Sequence, residues 1–232
     1  MTVEELYSAQ QLLHQRMLKR AESLGYNLED TEPIYDGVCD VISYLSNSPR
    51  IMWIMKEPYD IIEDGTPKGG GWEVYNFTLT YPMWKILMRI TYGIRNKKYQ
   101  IDIPDPDEEM LKLLKATAYI NINKMPALTS SNDRQLAVSL RDWKDIVMEQ
   151  VKVYNPDIII FGNTFKQFEE GDFGENRSED WIENASTPGP TEVFKTKMGK
   201  VLINAYHPSQ RNTVEKNRYI DTIIKACIEG YY

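Results

Sequence analysis

The sequence predicts an α/β protein of three layers (α/β/α), in which helices cover both faces of a central four-stranded parallel sheet. Two observations lead to this prediction. Four short apolar runs have the length of buried strands, and each is followed by polar or turn-forming residues. Segments with the apolar spacing of helices separate these runs, and such alternation is typical of a parallel sheet that is covered on both sides.

The first half of the chain contains two of the four predicted strands. The apolar spacing predicts helices over residues 3–24, 37–46, 81–94 and 104–115. The continuous apolar run at residues 51–55 (IMWIM) predicts the first strand, and residues 117–121 (TAYIN) predict the second. The segment 65–72 (GTPKGGGW) is a loop by composition, and it lacks the lysine and hydroxyl ending of a P-loop.

The second half continues the alternation. Its predicted elements are a helix at 134–154, a strand at 157–161, a turn into a helix at 162–164, an exposed loop at 170–192, a strand at 201–205 and a helix at 214–228. Pro208 disfavours continuation of the last strand, so His207 is expected on a stiff loop just beyond the carboxyl end of that strand. The whole chain, residues 1–232, is predicted to form one domain with an N-terminal helix.

Composition indicates a protein with a sizeable core and no membrane segment. The chain is 42% hydrophobic, yet no apolar run approaches the ~18 residues that cross a bilayer. The two cysteines, Cys39 and Cys227, form no CxxC pair, which indicates a reducing compartment and no cysteine-held metal cluster. The acidic and polar start (MTVEELYSAQ) differs from a signal peptide. We therefore expect a cytoplasmic monomer.

The charge distribution gives two opposed indications about nucleic acids. The formal net charge of −7 argues against such a partner, because phosphate binding relies on lysine and arginine. Residues 195–218, however, contain six basic residues and one acidic residue, a local charge of +5 around His207. A second basic group occupies residues 95–98 (RNKK). A solvated surface and a phosphate-binding surface both fit these clusters.

Polar residues follow each of the four predicted strands. They are residues 56–60 (KEPYD), 121–124 (NINK), 162–164 (GNT) and 207–210 (HPSQ). Parallel strands place their carboxyl ends at one edge of the sheet, where ligands bind in open α/β folds. We therefore expect one cleft to collect Glu57, Tyr59, Asn121, Asn123 and His207.

The four strand ends together resemble the motifs of the uracil-DNA glycosylase superfamily. Residues 55–59 (MKEPY) are similar to its first-strand motif G-Q-D-P-Y, and Asn121 matches its second-strand asparagine. Residues 156–165 (PDIIIFGNTF) resemble its third strand and glycine turn, and residues 207–209 (HPS) match its late H-P-S-P motif. The resemblance covers about residues 50–212, in the order of the family.

The resemblance implies hydrolysis of the bond between the sugar and uracil, or a related damaged base, in DNA, with no metal and no cofactor. Positive charge then develops on the sugar and negative charge on the leaving base. The resemblance assigns the carboxylate under the sugar to Glu57 and the histidine at the base carbonyl to His207. The base-binding residues that it implies are Asn121, Tyr59, Trp72 and Phe77, and the DNA-binding residues are Ser209, Gln210, Arg211 and Lys200.

Structural roles remain open for several of these residues. Glu57 fits an ordinary strand-end carboxylate, Asn121 fits a turn cap, and Asn123 replaces Asn121 if the register shifts. Tyr59 fits packing as well as it fits a pocket wall, and core packing is the favoured role for Trp72 and Phe77 individually. Met55 stands where the family has glycine, and Lys56 stands where it has a polar or acidic residue. With the net charge of −7, these departures keep a second hypothesis open, a non-catalytic module of the same fold that binds nucleic acid or a nucleobase.

Overall fold

The computed structural model describes residues 1–57, 62–63, 66–67, 78–127, 132–182, 192–209 and 216–232. The helices are α1 (Val3–Ser23), α2 (Val41–Ser46), α3 (Pro82–Asn96), α4 (Glu108–Lys115), α5 (Asp133–Tyr154) and α6 (Lys216–Tyr231). The strands are β1 (Gly37–Val38), β2 (Ile51–Met55), β3 (Ile62–Glu63), β4 (Thr66–Pro67), β5 (Ala118–Asn121), β6 (Ile158–Gly162), β7 (Trp181–Ile182), β8 (Glu192–Lys195) and β9 (Val201–Ala205).

The main sheet has the strand order β1-β5-β2-β6-β9-β8-β7, and β3 pairs with β4 in a separate ribbon. The four predicted strands form the centre of this sheet, where β5, β2, β6 and β9 are parallel. This parallel core is confirmed. The sheet has seven strands rather than four, however, because β1, β8 and β7 extend its edges in antiparallel pairing.

Helices cover both faces of the sheet, as the three-layer prediction requires. Trp53 and Met55 of β2 pack in the core formed with α3, α4 and α6. Met52 and Ile54 pack on the opposite face in the core formed with α1, α2 and α5. Every residue of β2 is fully buried, which explains why the strand reads as a continuous apolar run rather than an alternating one.

The predicted boundaries fail where short elements replace longer patterns. The helix expected over residues 37–46 begins only at Val41, because Gly37 has a φ of +150° and lies in β1. Asp40 caps the shortened helix through the backbone N–H of Ser43. The loop expected over residues 170–192 contains β7, whose two residues are too few to give an alternating pattern. The turn at 162–164 leads into a single 3₁₀ turn, Phe165–Gln167, instead of a longer helix.

The longest helix sets the position of the central strand β6. Asn132 and Gln135 form a capping box at the start of α5, each accepting from the other's backbone N–H. Asn155 ends the helix in the left-handed conformation, with a φ of 42°, and β6 begins three residues later. None of the helices within the described ranges combines the length and apolar character needed to span a bilayer.

Candidate functional site

The carboxyl ends of the four parallel strands meet at one edge of the sheet. Met55, the last residue of β2, pairs with Asn121, the last residue of β5. On the other side, Gly162 ends β6 and pairs with Ala205, the last residue of β9. His207 follows β9 by two residues, so the polar sequences predicted to lie together share this edge.

Gly162 is closely packed at this edge. A Cβ atom on this glycine would lie 2.5 Å from the Sδ of Met55 and 3.7 Å from the Cδ2 of His207. Side chains from β2 and from the loop after β9 therefore approach each other across β6. The absence of a side chain at residue 162 leaves room for the thioether of Met55. The sequence showed Gly162 only as a turn residue, and it contains no signal for this contact.

Ser209 fixes the orientation of the His207 ring. Its Oγ lies 2.6 Å from Nδ1 of His207, and its backbone N–H donates to the same nitrogen over 3.2 Å. Because an N–H can only donate, Nδ1 is the acceptor, and the proton of the neutral ring lies on Nε2. Burial, and secondarily the positive charge of Lys56, lower the pKa of His207 from 6.5 to about 4. At neutral pH His207 is therefore an uncharged donor through Nε2.

Glu57 lies at the same edge, two residues after β2. The backbone of β2 stays paired with the chain after β5 beyond Met55, because the N–H of Asn123 donates to the carbonyl of Lys56 over 3.0 Å. Glu57 is only 7% exposed. Burial first, and then the charges of Asp36 and Glu57, raise the pKa of the Tyr119 phenol. The charge of Glu57 thus acts on the phenol of Tyr119 in β5.

Asn121 is buried at the end of β5, with 1% exposure. Its backbone N–H donates to Oδ2 of Asp36 over 2.6 Å, and its side-chain Nδ2 donates to the same oxygen over 3.3 Å. Its Oδ1 has no hydrogen-bond partner among the residues that the structure describes. An unsatisfied buried amide oxygen is costly in a folded protein unless a ligand or water satisfies it. The side chain therefore offers one open acceptor at this edge.

Asn123, the alternative to Asn121, is occupied by its own turn. Its Nδ2 donates to the carbonyl of Met125 over 2.9 Å, and its Oδ1 accepts from the N–H of Met125 over 3.2 Å. Both polar ends of the amide are therefore engaged in local structure, which is a common use of asparagine in turns. The turn-capping role belongs to Asn123, and Asn121 carries the open acceptor.

A buried ionic network stands behind Asn121. The carboxylate of Asp36 accepts from the Lys124 ammonium over 2.9 Å at each oxygen and from Nε2 of Gln150 over 2.8 Å. Lys124 also donates to Oε1 of Gln150 over 2.7 Å. Burial lowers the pKa of Lys124, and the neighbouring Asp36 opposes that shift. The sequence reasoning missed Asp36 and Gln150; a glutamine on the apolar face of α5 was the only available signal.

Lys200 does not lie at this edge, which corrects the expectation that the basic residues of 195–218 surround His207. It precedes β9, and its Nζ donates to Oδ1 of Asn155 over 2.8 Å and to the carbonyl of Pro156 over 2.9 Å. The strand β9 has five residues and thus a length of roughly 17 Å. The described basic residues that precede and follow it, Lys200 and Lys216, therefore lie at opposite edges of the sheet and do not form one patch.

The remaining predicted site residues divide into two groups. Ser209 lies at the predicted edge, in contact with His207. Five others lie outside the described residues, namely Tyr59, Trp72, Phe77, Gln210 and Arg211. Lys216 and Arg218 begin α6, and the hydroxyl of Tyr219 donates to the carbonyl of Tyr206 over 2.6 Å, beside His207. The start of α6 therefore places basic residues on the His207 side of the sheet.

A separate cavity of about 330 Å³ lies against β8 and β9, lined in part by Phe165, Arg177, Trp181 and Phe194. Its lining does not include Glu57, Asn121 or His207. The chemistry-bearing groups are at the strand ends, so we place the candidate site there rather than in this cavity. Within the described part of the chain, no three His, Cys, Asp or Glu side chains are grouped to hold a metal ion.

Comparison of the chain with protein-family models gives no match, and comparison with curated proteins gives none either.

Proposed function

We propose that this protein hydrolyses the base–sugar bond of uracil, or of a related damaged base, in DNA, and acts as a cytoplasmic monomer. The observation that supports this proposal most is the meeting of a buried carboxylate, an open amide acceptor and a neutral imidazole donor at one sheet edge. Glu57, Asn121 and His207 come from three different strand ends, and each matches the group that the reaction needs.

The charges of the transition state define the role of each residue. Breaking the bond leaves positive charge on the sugar, which the Glu57 carboxylate stabilises while it orients the attacking water. The leaving base gains negative charge on its carbonyl oxygen. A neutral His207 donates its Nε2–H to that oxygen, because Ser209 occupies Nδ1 and keeps the ring in this tautomer. Fixed donors of this kind need no reorganisation during the reaction.

DNA reaches such a site only if the target base leaves the base stack. Phosphate contacts would then hold the strand without reading its sequence. Lys56 at the end of β2 and Lys216 and Arg218 at the start of α6 are the described basic residues that suit this task. They replace Lys200 in the proposed set of phosphate contacts, and Ser209, Gln210 and Arg211 remain predicted contacts.

Single-turnover release of uracil from a single-stranded oligonucleotide tests the proposal. Glu57→Gln and His207→Ala should each slow release at least about a hundredfold, because loss of one stabiliser of developing charge typically costs about 2.7–4 kcal/mol. Binding of the oligonucleotide should remain, since phosphate contacts dominate affinity. Glu175→Gln is the matched control, because Glu175 is equally buried but contacts Phe173 and Arg177. Wild-type rates in both site variants would contradict the assigned chemistry.

One observation favours the second hypothesis, a binding module without catalysis. The thioether of Met55 occupies the space beside Gly162 and His207, where the resembling family has a glycine on the first strand. The same assay separates the two hypotheses. Wild-type protein that binds the uracil oligonucleotide and releases no base under any condition would be a binding module.

A further inference from the structure

The carboxylate of Asp36 is saturated by donors. Its Oδ1 accepts from Lys124 and Gln150, and its Oδ2 accepts from Lys124 and from both the backbone and side-chain N–H groups of Asn121. An ionised carboxylate has about four lone-pair sites, so these five contacts leave no capacity for a ligand. Asp36 is also 1% exposed. It therefore acts on a ligand only through the groups it holds.

Asp36 determines which end of the Asn121 amide faces it. A carboxylate only accepts hydrogen bonds, and so only the NH₂ end of the amide fits against Oδ2. The opposite orientation would place two acceptor oxygens together in a buried environment, where an unmatched polar pair is costly. The amide oxygen is consequently turned away from Asp36, and it is the atom that lacks a partner among the described residues.

Lys124 and Gln150 keep this arrangement in place. The Lys124 ammonium is fully buried and donates to both Asp36 oxygens over 2.9 Å. Gln150 bridges the two charged groups, donating to Asp36 and accepting from Lys124. Removing two charges from water is unfavourable, so a buried ion pair is a poor explanation of stability by itself. The pair is, however, joined to the end of β5 through the two hydrogen bonds that Asp36 accepts from Asn121.

We propose that Asp36 is a positioning residue that holds the Asn121 amide with its oxygen toward the ligand, so that the site selects bases with a ring N–H, such as uracil, over bases with a bare ring nitrogen, such as cytosine. This inference rests on the proposed function for the identity of the ligand. The selectivity between bases then depends on Asp36, Lys124 and Gln150 as well as on Asn121. A neutral group at position 36 would accept either end of the amide and would remove the preference.

Binding of non-cleavable oligonucleotides tests this inference without requiring turnover. The probes are single strands that carry one 2′-fluoro-2′-deoxyuridine or one 2′-fluoro-2′-deoxycytidine. In Asp36→Asn the ratio of the two dissociation constants should fall at least about tenfold, equivalent to about 1.4 kcal/mol. Because this variant leaves the Lys124 charge buried, the double variant Asp36→Asn/Lys124→Met removes both charges and should show the same loss. Asp157→Asn, which breaks the Arg50–Asp157 pair before β6, is the matched control.

The side-chain amide of Asn121 gives a second readout that is independent of any ligand. Its NH₂ resonances in a ¹⁵N–¹H spectrum should show one slowly exchanging proton, bonded to Asp36, and Asp36→Asn should remove that protection. A lower melting temperature with unchanged base selectivity would make Asp36 merely structural and overturn the inference. Wild-type protein that binds both probes equally would overturn it as well.

The outcomes separate this inference from the proposed hydrolysis. A wild type that selects the uridine probe but releases no uracil, with selectivity lost in Asp36→Asn, supports the positioning role and refutes hydrolysis. A wild type that releases uracil, with selectivity retained in both variants, refutes the positioning role alone.

Discussion

Acid should destabilise this protein through His207, and the structure gives the sign and size of the effect. Burial, and then the neighbouring Lys56 charge, lower the pKa of the ring from 6.5 to about 4 in the folded state. The unfolded chain keeps an ordinary histidine pKa of about 6.5. Between these two values the unfolded state binds the extra proton, so stability rises with pH in this range and is lost as pH falls.

The expected magnitude follows from the two pKa values. A difference of one pKa unit corresponds to about 1.36 kcal/mol, so His207 contributes about 3 kcal/mol that is present above pH 6.5 and fully lost below pH 4. At pH 5 about 2 kcal/mol of it is already lost by the same linkage. For a chain of this size, 2 kcal/mol corresponds to a fall in melting temperature of roughly 4–8 °C.

Urea unfolding at pH 5 and pH 8, with wild type and His207→Gln, measures this contribution directly. The variant lacks the titrating ring, so its loss of stability between the two pH values should be smaller by about 2 kcal/mol. His14→Gln is measured in parallel, because burial also lowers the pKa of His14, which lies in α1 beside the carbonyl of Asp36, so this ring adds its own loss of stability in acid and the two contributions have to be separated. The chain has two histidines, so each variant leaves one.

An NMR titration of the two imidazoles decides whether the reasoning holds. The His207 resonances should titrate near pH 4. A His207 pKa of 6.5 or above would mean that the ring is solvated and away from the Lys56 charge. The ring would then not be held neutral by burial, and the assignment of His207 as a fixed Nε2–H donor to the leaving base would be refuted.

Three further predictions concern the same edge. Gly162→Ala should destabilise the protein by about 1 kcal/mol in denaturant unfolding, at the low end for added core atoms, since its Cβ would lie 2.5 Å from Sδ of Met55, which is near the end of a flexible side chain; the same substitution should cost less when Met55→Ala is already present, and full additivity would contradict the contact. Lys56→Gln should raise the pKa of His207 by removing the positive charge beside it, and an unchanged NMR titration would contradict that proximity. Lys216→Gln should reduce the log–log salt slope of single-stranded DNA binding by about 0.7, whereas Lys200→Gln at the opposite edge should leave it unchanged; equal effects of the two would remove the proposed DNA path.

The parallel core was predictable because its signal is local and strong. The strand Ile51–Met55 is buried on both faces, so all five of its residues are apolar. A run of this length is too short for a typical helix, and it therefore predicts a buried strand. The order of strands and helices then implies that the strand ends share an edge. The sequence therefore predicts that Glu57, Asn121 and His207 follow strand ends at one edge of the sheet.

The parts that failed depend on distant contacts or on very short elements. Asp36 is an unremarkable acid before Gly37 in the sequence, and its role arises from Lys124, 88 residues later, and Gln150, 114 residues later. No spacing rule connects such residues. The linear charge count failed for a related reason, since Lys200 and Lys216 are close in sequence but a buried strand separates them in space.

Met55 stands where the resembling family has a glycine. The effect of this replacement depends on the neighbouring strand as well as on the motif that contains Met55. The resemblance implies that a glycine on the first strand gives a ligand room to approach. Here Met55 has a long side chain, and the neighbouring strand supplies a glycine, Gly162, beside its sulfur. Methionine is flexible and fills irregular space, so the thioether can shift without disturbing the strand. The altered residue therefore fills space beside Gly162, while Asn121 and Gly162 still end their strands at the same edge of the sheet.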